Sequence, residues 1–230
     1  MKIEVLYSKV CGLYGDIFNT KYLAECSNDI ELINTEIDDT PYFVKHNVNM
    51  IYIGSMTERT EEIVIKKLMP YKKRIEELID KGVIFLVTGS AIEIFGKSIY
   101  RNEKEIDGLN IFDYYTEYDY DNRYHELYLG EFNNMKIVGF KSQFGRLYNV
   151  VEKPLFKTLK GIGNNEKDIN EGVLKNNFMA TTVLGPIILQ NPLFAKYILD
   201  LLDVKKDLKY KKTIDKAYSV RLKEYEDLKF

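Results

Sequence analysis

Cysteine is scarce in this chain: Cys11 and Cys26 are the only two among 230 residues. Their spacing is not that of metal ligands, and two thiols cannot staple a disulfide scaffold. No apolar run is long enough to span a bilayer, so a membrane span is excluded. Neither sign of charge dominates. The formal net charge is -2, and no nucleic-acid partner is expected. Repeats and low-complexity tracts are absent. The opening residues, Met1-Lys2-Ile3-Glu4-Val5-Leu6, place charges inside a short apolar stretch and lack a small-residue cleavage site. They are expected to form a strand and not a signal peptide. These features describe a cytoplasmic protein without structural disulfides. Its length suits one sizeable core, or one domain with a small appendage.

What is present is an alternation of strand and helix patterns. Ile3–Tyr7, Ile30–Ile37, Val48–Gly54 and Val83–Thr88 read as strands. Asp16–Cys26 and Glu61–Lys81 have helical periodicity, with Pro70 kinking or splitting the second. This order predicts an α/β fold with a mostly parallel sheet covered by helices. The segment from Ile106 to Val150 reads as short antiparallel or irregular strands. Phe178–Val183 is a further strand, and Pro192–Leu202 is a helix with proline in its first turn. Residues 1–204 are expected to form the domain. Residues 205–230 are expected to form a helical extension, read as solvated in preference to partner-binding.

In a parallel α/β sheet, chemistry gathers at the carboxyl ends of strands. Gly54, Gly89 and Leu184 mark three such ends. The run from Val83 to Gly96 has the outline of a nucleophile elbow: a strand, a turn of small residues (Gly89-Ser90-Ala91), then a helix. A plain strand-to-helix turn would look the same.

Several ordered segments resemble one family. They are Leu13-Tyr14-Gly15-Asp16-Ile17-Phe18-Asn19, the run from Gly108 to Glu117, Ile137-Val138-Gly139-Phe140 with Gly145-Arg146, Gly161-Ile162-Gly163-Asn164-Asn165, and Gly185-Pro186-Ile187. In this order they are similar to class I glutamine amidotransferases of the cobyric-acid-synthase-type branch, and within it to the glutaminase subunits of lipid II isoglutaminyl synthases. The resemblance runs from about Leu13 to Leu202. It implies a three-layer α/β sandwich of flavodoxin-like type, no cofactor, a role in cell-wall peptidoglycan amidation, and a Mur-ligase-like ATP-dependent synthetase as partner.

The resemblance also implies a cysteine nucleophile activated by a histidine. The family's elbow, Cys-Gly-Gly-Tyr-Gln, corresponds here to Gly89-Ser90-Ala91-Ile92-Glu93, which puts Gly89 at the nucleophile position. The family's histidine precedes a Gly-Pro pair, and Leu184 stands there. A glycine run that serves the oxyanion corresponds to Gly54-Ser55-Met56-Thr57, with Ser90 beside it. The family's Asn-His-Gly-Gly-Arg corresponds to Ser142-Gln143-Phe144-Gly145-Arg146. These departures lead to the expectation of a pseudoenzyme, a subunit that does not hydrolyse glutamine but binds or regulates an amide-forming synthetase. Arg146, Gln143 and Glu93 are expected to line the old glutamine pocket.

Two other readings stand beside this one. The chain could be a hydrolase or amidase with a site rebuilt around Ser90 or Cys11, or a small-molecule binder that uses the glutamine pocket. Ser90 also reads as a turn hydroxyl, and Cys11 as a small apolar residue. His46 and His125 match no catalytic position. Asp113, Glu117, Asp119 and Asp121 do not have calcium-loop spacing and read as a solvated or partner-facing stretch.

Overall fold

The structure, a computed structural model, describes residues 1–227. In chain order its elements are β1 (Lys2–Leu6), α1 (Phe18–Cys26), β2 (Glu31–Thr35), β3 (Met50–Ile53), α2 (Glu58–Leu68), α3 (Lys72–Asp80), β4 (Ile84–Thr88), β5 (Ser98–Arg101), β6 (Lys104–Asp107), β7 (Tyr115–Tyr118), β8 (Tyr124–Phe132), β9 (Met135–Gln143), β10 (Gly145–Tyr148), β11 (Phe156–Lys160), β12 (Asn170–Glu171), β13 (Val173–Lys175), β14 (Phe178–Thr181), α4 (Ile187–Gln190), α5 (Pro192–Leu201) and α6 (Lys211–Asp227).

The six-stranded sheet runs β13-β14-β4-β3-β1-β2. Every pair in it is parallel except β13 with β14. β3, β4 and β14 are buried along their whole length. That is why they read as unbroken apolar runs: helices or other sheets cover both faces. One apolar cluster includes Val64, Leu68, Ile75 and Ile79 of α2 and α3, packed against Ile53, Phe85 and Val87. A second, on the other face, joins Leu23, Phe194 and Ile198 to Val5, Tyr52 and Leu86.

Two four-stranded sheets, β10-β7-β5-β6 and β12-β11-β8-β9, fill the middle of the chain. They are antiparallel apart from the parallel pair β5 with β7. Leu184 forms an isolated antiparallel bridge with Phe140 of β9. That bridge brings β9 to the carboxyl edge of the large sheet and creates the walls of the site.

Pro70 splits the expected helix as physics requires. It has no N–H to donate and its ring blocks the preceding carbonyl, so a 3-10 turn, Met69–Tyr71, separates α2 from α3. Two other expectations are corrected. α1 begins at Phe18 and not at Asp16, although Asp16 and Ile17 already have right-handed helical backbone angles as the chain leaves the turn at Gly15. The elbow turn leads into a 3-10 segment, Gly89–Phe95, and not an α-helix. That segment is buried on nearly every side and has no solvent-facing stripe from which to build an amphipathic helix. The terminal helix α6 is exposed along most of its length and packs one edge on β8 and β9. Its Tyr225 packs on Leu129 and Val138, and the Tyr218 hydroxyl donates to the Lys136 carbonyl at 2.8 Å. Among the described residues no helix is long and apolar enough to cross a membrane.

Candidate functional site

Asp16 ties the strand ends together. It is fully buried, and one carboxylate oxygen accepts the Ser55 N–H at 2.9 Å, the Ser55 hydroxyl at 2.7 Å and the Thr88 hydroxyl at 2.9 Å. The other oxygen accepts the Gly185 N–H at 2.9 Å. One side chain thus binds the residues that follow β3, end β4 and follow β14. Burial raises its pKa above the usual carboxylate value, against the pull of these donors. Asn19, one helical turn on, accepts the Ile188 N–H at 2.8 Å and donates to the Tyr52 hydroxyl at 3.1 Å.

Above this knot lies a pocket of about 210 Å³. Ser55, Met56, Gly89, Ser90, Glu93, Gln143 and Leu184 all line it. Gly54 does not. A Cβ at Gly54 would lie 2.8 Å from the Cys11 carbonyl oxygen, so that glycine is required for close backbone packing. Gly89 has φ +61°, the left-handed conformation that favours glycine. A Cβ there would land on the Ser55 hydroxyl and lie 2.7 Å from Leu184 Cδ2.

The N–H groups after β3 are already engaged. That of Ser55 goes to Asp16, and that of Met56 donates to the Ser90 hydroxyl at 3.1 Å. Ser90 in turn donates to the Met56 carbonyl at 2.9 Å. Its hydroxyl is therefore satisfied by backbone on both counts, with no base beside it. Cys11 is fully buried and lies 3.8 Å from the Met56 sulfur. Burial pushes its thiol up to about 12, so almost no thiolate forms at neutral pH. Neither residue has the surroundings of an activated nucleophile.

Glu93 sits at the pocket wall, 4% exposed. It receives the Tyr118 hydroxyl at 3.3 Å. Arg101 approaches its other oxygen at 3.5 Å without a hydrogen bond, being held by Glu61. Burial first, and Glu58 as a like charge, push the Glu93 carboxyl up to about 8.

The expectation for Arg146 needs correction, because it is not among the lining residues. Its guanidinium faces Asp119 at 3.3 Å and Glu166, and donates to the Tyr124 hydroxyl at 3.0 Å and the Asn122 carbonyl at 2.8 Å. It fixes the loop between β7 and β8 from behind. The pocket's cation is Arg123 on that loop, over the Phe144 ring at 5.3 Å. Sequence reasoning missed Arg123, which has no local pattern to distinguish it. His46 stacks on Tyr42, away from the site. His125 lies on β8, with Nδ1 3.2 Å from the hydroxyl of Ser142, itself a lining residue.

Known proteins resemble the chain in sequence and in fold. Residues 2–191 match the CobB/CobQ-like glutamine amidotransferase domain. The chain is 28% identical over 221 residues to the GatD subunit of the glutamine-hydrolyzing lipid II isoglutaminyl synthase of Staphylococcus aureus, covering 93% of this chain and 89% of that one. It is 27% identical over 241 residues to its Streptococcus pneumoniae counterpart, covering 99% and 86%. A glutamine amidotransferase crystal structure superposes with a TM-score of 0.57 at 14% identity, covering 86% of this chain and 97% of that one. Another, from Thermotoga maritima, gives 0.51 at 12% identity, covering 96% and 92%. At such identities the structures speak to fold alone. Both sequence relatives are named as subunits of a glutamine-hydrolyzing synthase. That finding overturns the expectation, drawn from Gly89 and Leu184, that the chain is a pseudo-glutaminase and not an enzyme. With the match spanning most of its length, the chain belongs to the CobB/CobQ-like glutamine amidotransferase family.

Proposed function

We propose that this chain is the glutamine amidotransferase subunit of an amide-forming synthetase of the lipid II isoglutaminyl synthase kind. In this reading it works in the cytoplasm with a Mur-ligase-like, ATP-dependent partner, and its pocket holds the nitrogen donor. The observation that carries the reading is the nearly end-to-end match to subunits of that synthase. The pocket supports it by position and by charge. It lies at the carboxyl ends of β3, β4 and β14, where ligands bind in open α/β sheets. Arg123 offers a carboxylate partner and Glu93 an ammonium partner, and Gln143 lines the same pocket. Both charges of a free amino acid are thereby matched.

Cleavage of a donor amide here would draw its nucleophile from water or from a hydroxyl. No thiol or imidazole is among the residues lining the pocket.

Co-expression with a Mur-ligase-like synthetase tests the reading. The two chains should purify together, and this chain should raise ATP-dependent amide formation on lipid II. Glutamine and ammonium are supplied in parallel as nitrogen sources. Absence of a complex together with an unchanged rate on both sources would refute the assignment.

A further inference from the structure

Glu93 belongs to a buried cluster with more negative than positive charge. Glu61 of α2 is fully buried and paired with Arg101 of β5, which is 7% exposed. The same guanidinium donates to the Glu58 carbonyl at 3.2 Å and to the Tyr118 hydroxyl at 3.0 Å. Its two terminal nitrogens are thus engaged elsewhere, its Nε has no partner, and Glu93 Oε2, 3.5 Å from the guanidinium, receives no hydrogen bond. Two carboxylates therefore share one guanidinium out of contact with water. An uncompensated negative charge in such a place is expensive, so the cluster keeps a proton. The Tyr118 hydroxyl donates to the same carboxyl, the Tyr114 hydroxyl donates instead to the Ile92 carbonyl at 2.6 Å, and neither phenol supplies a positive charge. Glu58 of α2 adds a like charge. Arg123 lines the pocket but is stacked on Phe144.

We propose that Glu93 is the specificity-determining residue of the pocket: it selects ligands that carry a primary ammonium group, and their binding expels one proton from the Glu93–Arg101–Glu61 cluster. The ammonium supplies the missing positive charge, and its N–H groups supply the missing donor. Glu93 goes from carboxylic acid to carboxylate, and its proton leaves to solvent. The same carboxyl at about 8 accords with this, since near neutral pH it would be mostly protonated before the ligand arrives. The family pattern has glutamine at this position. A neutral carboxylic acid, like an amide, offers both a donor and an acceptor, whereas the ionised form offers acceptors only.

The inference rests on reading the pocket as the donor's site, and the experiment separates the two. L-glutamine and N-acetyl-L-glutamine, which lacks the ammonium, are titrated calorimetrically into the full chain. Buffers of different ionisation enthalpy are used at pH 7, and affinities are compared at pH 6.5 and 8.5. L-glutamine should bind with release of close to one proton and tighten roughly tenfold at the higher pH, as expected when ionised Glu93 is the binding form. N-acetyl-L-glutamine should bind more weakly and release none. Glu93→Gln should remove both the proton release and the pH dependence while keeping the fold, as checked by its melting curve. L-glutamine binding without proton release, or an unaltered pH dependence in Glu93→Gln, would overturn this proposal and leave the donor-site reading standing. No L-glutamine binding at either pH would overturn both.

Discussion

Ser55 and Gly89 share one volume: the Ser55 hydroxyl, held by Asp16 at 2.7 Å, occupies the place of a side chain on residue 89. The two identities are coupled sterically, although they stand 34 positions apart in the chain. Gly89→Ala should therefore destabilise in two ways. Left-handed backbone at φ +61° costs a non-glycine residue about 1–3 kcal/mol, and overpacking against Ser55 and Leu184 adds about as much. Adding Ser55→Gly should restore the packing share and leave the backbone share. Urea melts of the parent, the single variant and the double variant measure both. A Gly89→Ala protein as stable as the parent would show that the turn relaxes freely.

Glu93 should make stability fall as pH rises. Its folded pKa is raised to about 8, above the ordinary glutamate value, so the folded chain holds a proton that the unfolded chain has already released. Between pH 5 and 8 the parent should lose on the order of 1 kcal/mol per pH unit from this group. Glu93→Gln has nothing to titrate, so its melting temperature should gain on the parent steadily over that range. Parallel melting profiles across pH 5 to 8 would place the buried proton elsewhere.

Arg123 is exposed and stacked on one ring, so its removal should spare the fold. Arg123→Ala should weaken binding of L-glutamine about tenfold to a hundredfold, the value of a charge-assisted bond to a carboxylate. Arg146→Ala should instead lower the melting temperature, because Arg146 braces the β7–β8 loop through Asp119, Tyr124 and Asn122. The reverse pattern, with Arg146→Ala folding normally and losing ligand, would mean that Arg146 reaches the pocket in solution.

Lys141 and Glu171 are both fully buried, 3.6 Å apart. Glu171 also accepts the Thr181 hydroxyl at 2.7 Å and the Thr182 N–H and hydroxyl at 2.8 Å. Glu171→Ala strands the ammonium of Lys141 and should cost about 3–5 kcal/mol. Replacing both with apolar residues should recover much of that loss. The double variant should still perturb ligand binding, because Thr182 lines the pocket. Chemical denaturation of both variants distinguishes a stranded charge from lost packing.

Much of the frame is written in the sequence by itself. β3, β4 and β14 are legible because strands buried on both faces must be largely apolar. The break between α2 and α3 is legible because proline cannot donate. The turn at Gly89 is marked by small residues at the end of an apolar run. These are local constraints, satisfied within a few residues of chain. The site's contents were decided by tertiary structure. Whether Arg123 or Arg146 faces the pocket depends on how the β7–β8 loop packs on β10, and both arginines have the same chemistry in one dimension. The pairing of Ser55 with Gly89, the engagement of the Met56 N–H by Ser90, and the pairing of Arg101 with Glu61 join residues 34 to 40 positions apart, and Arg101 also reaches Glu93 from a different element. Such contacts leave no periodicity to read, because charge balance and excluded volume in a core are settled by distance in space and not by distance along the chain.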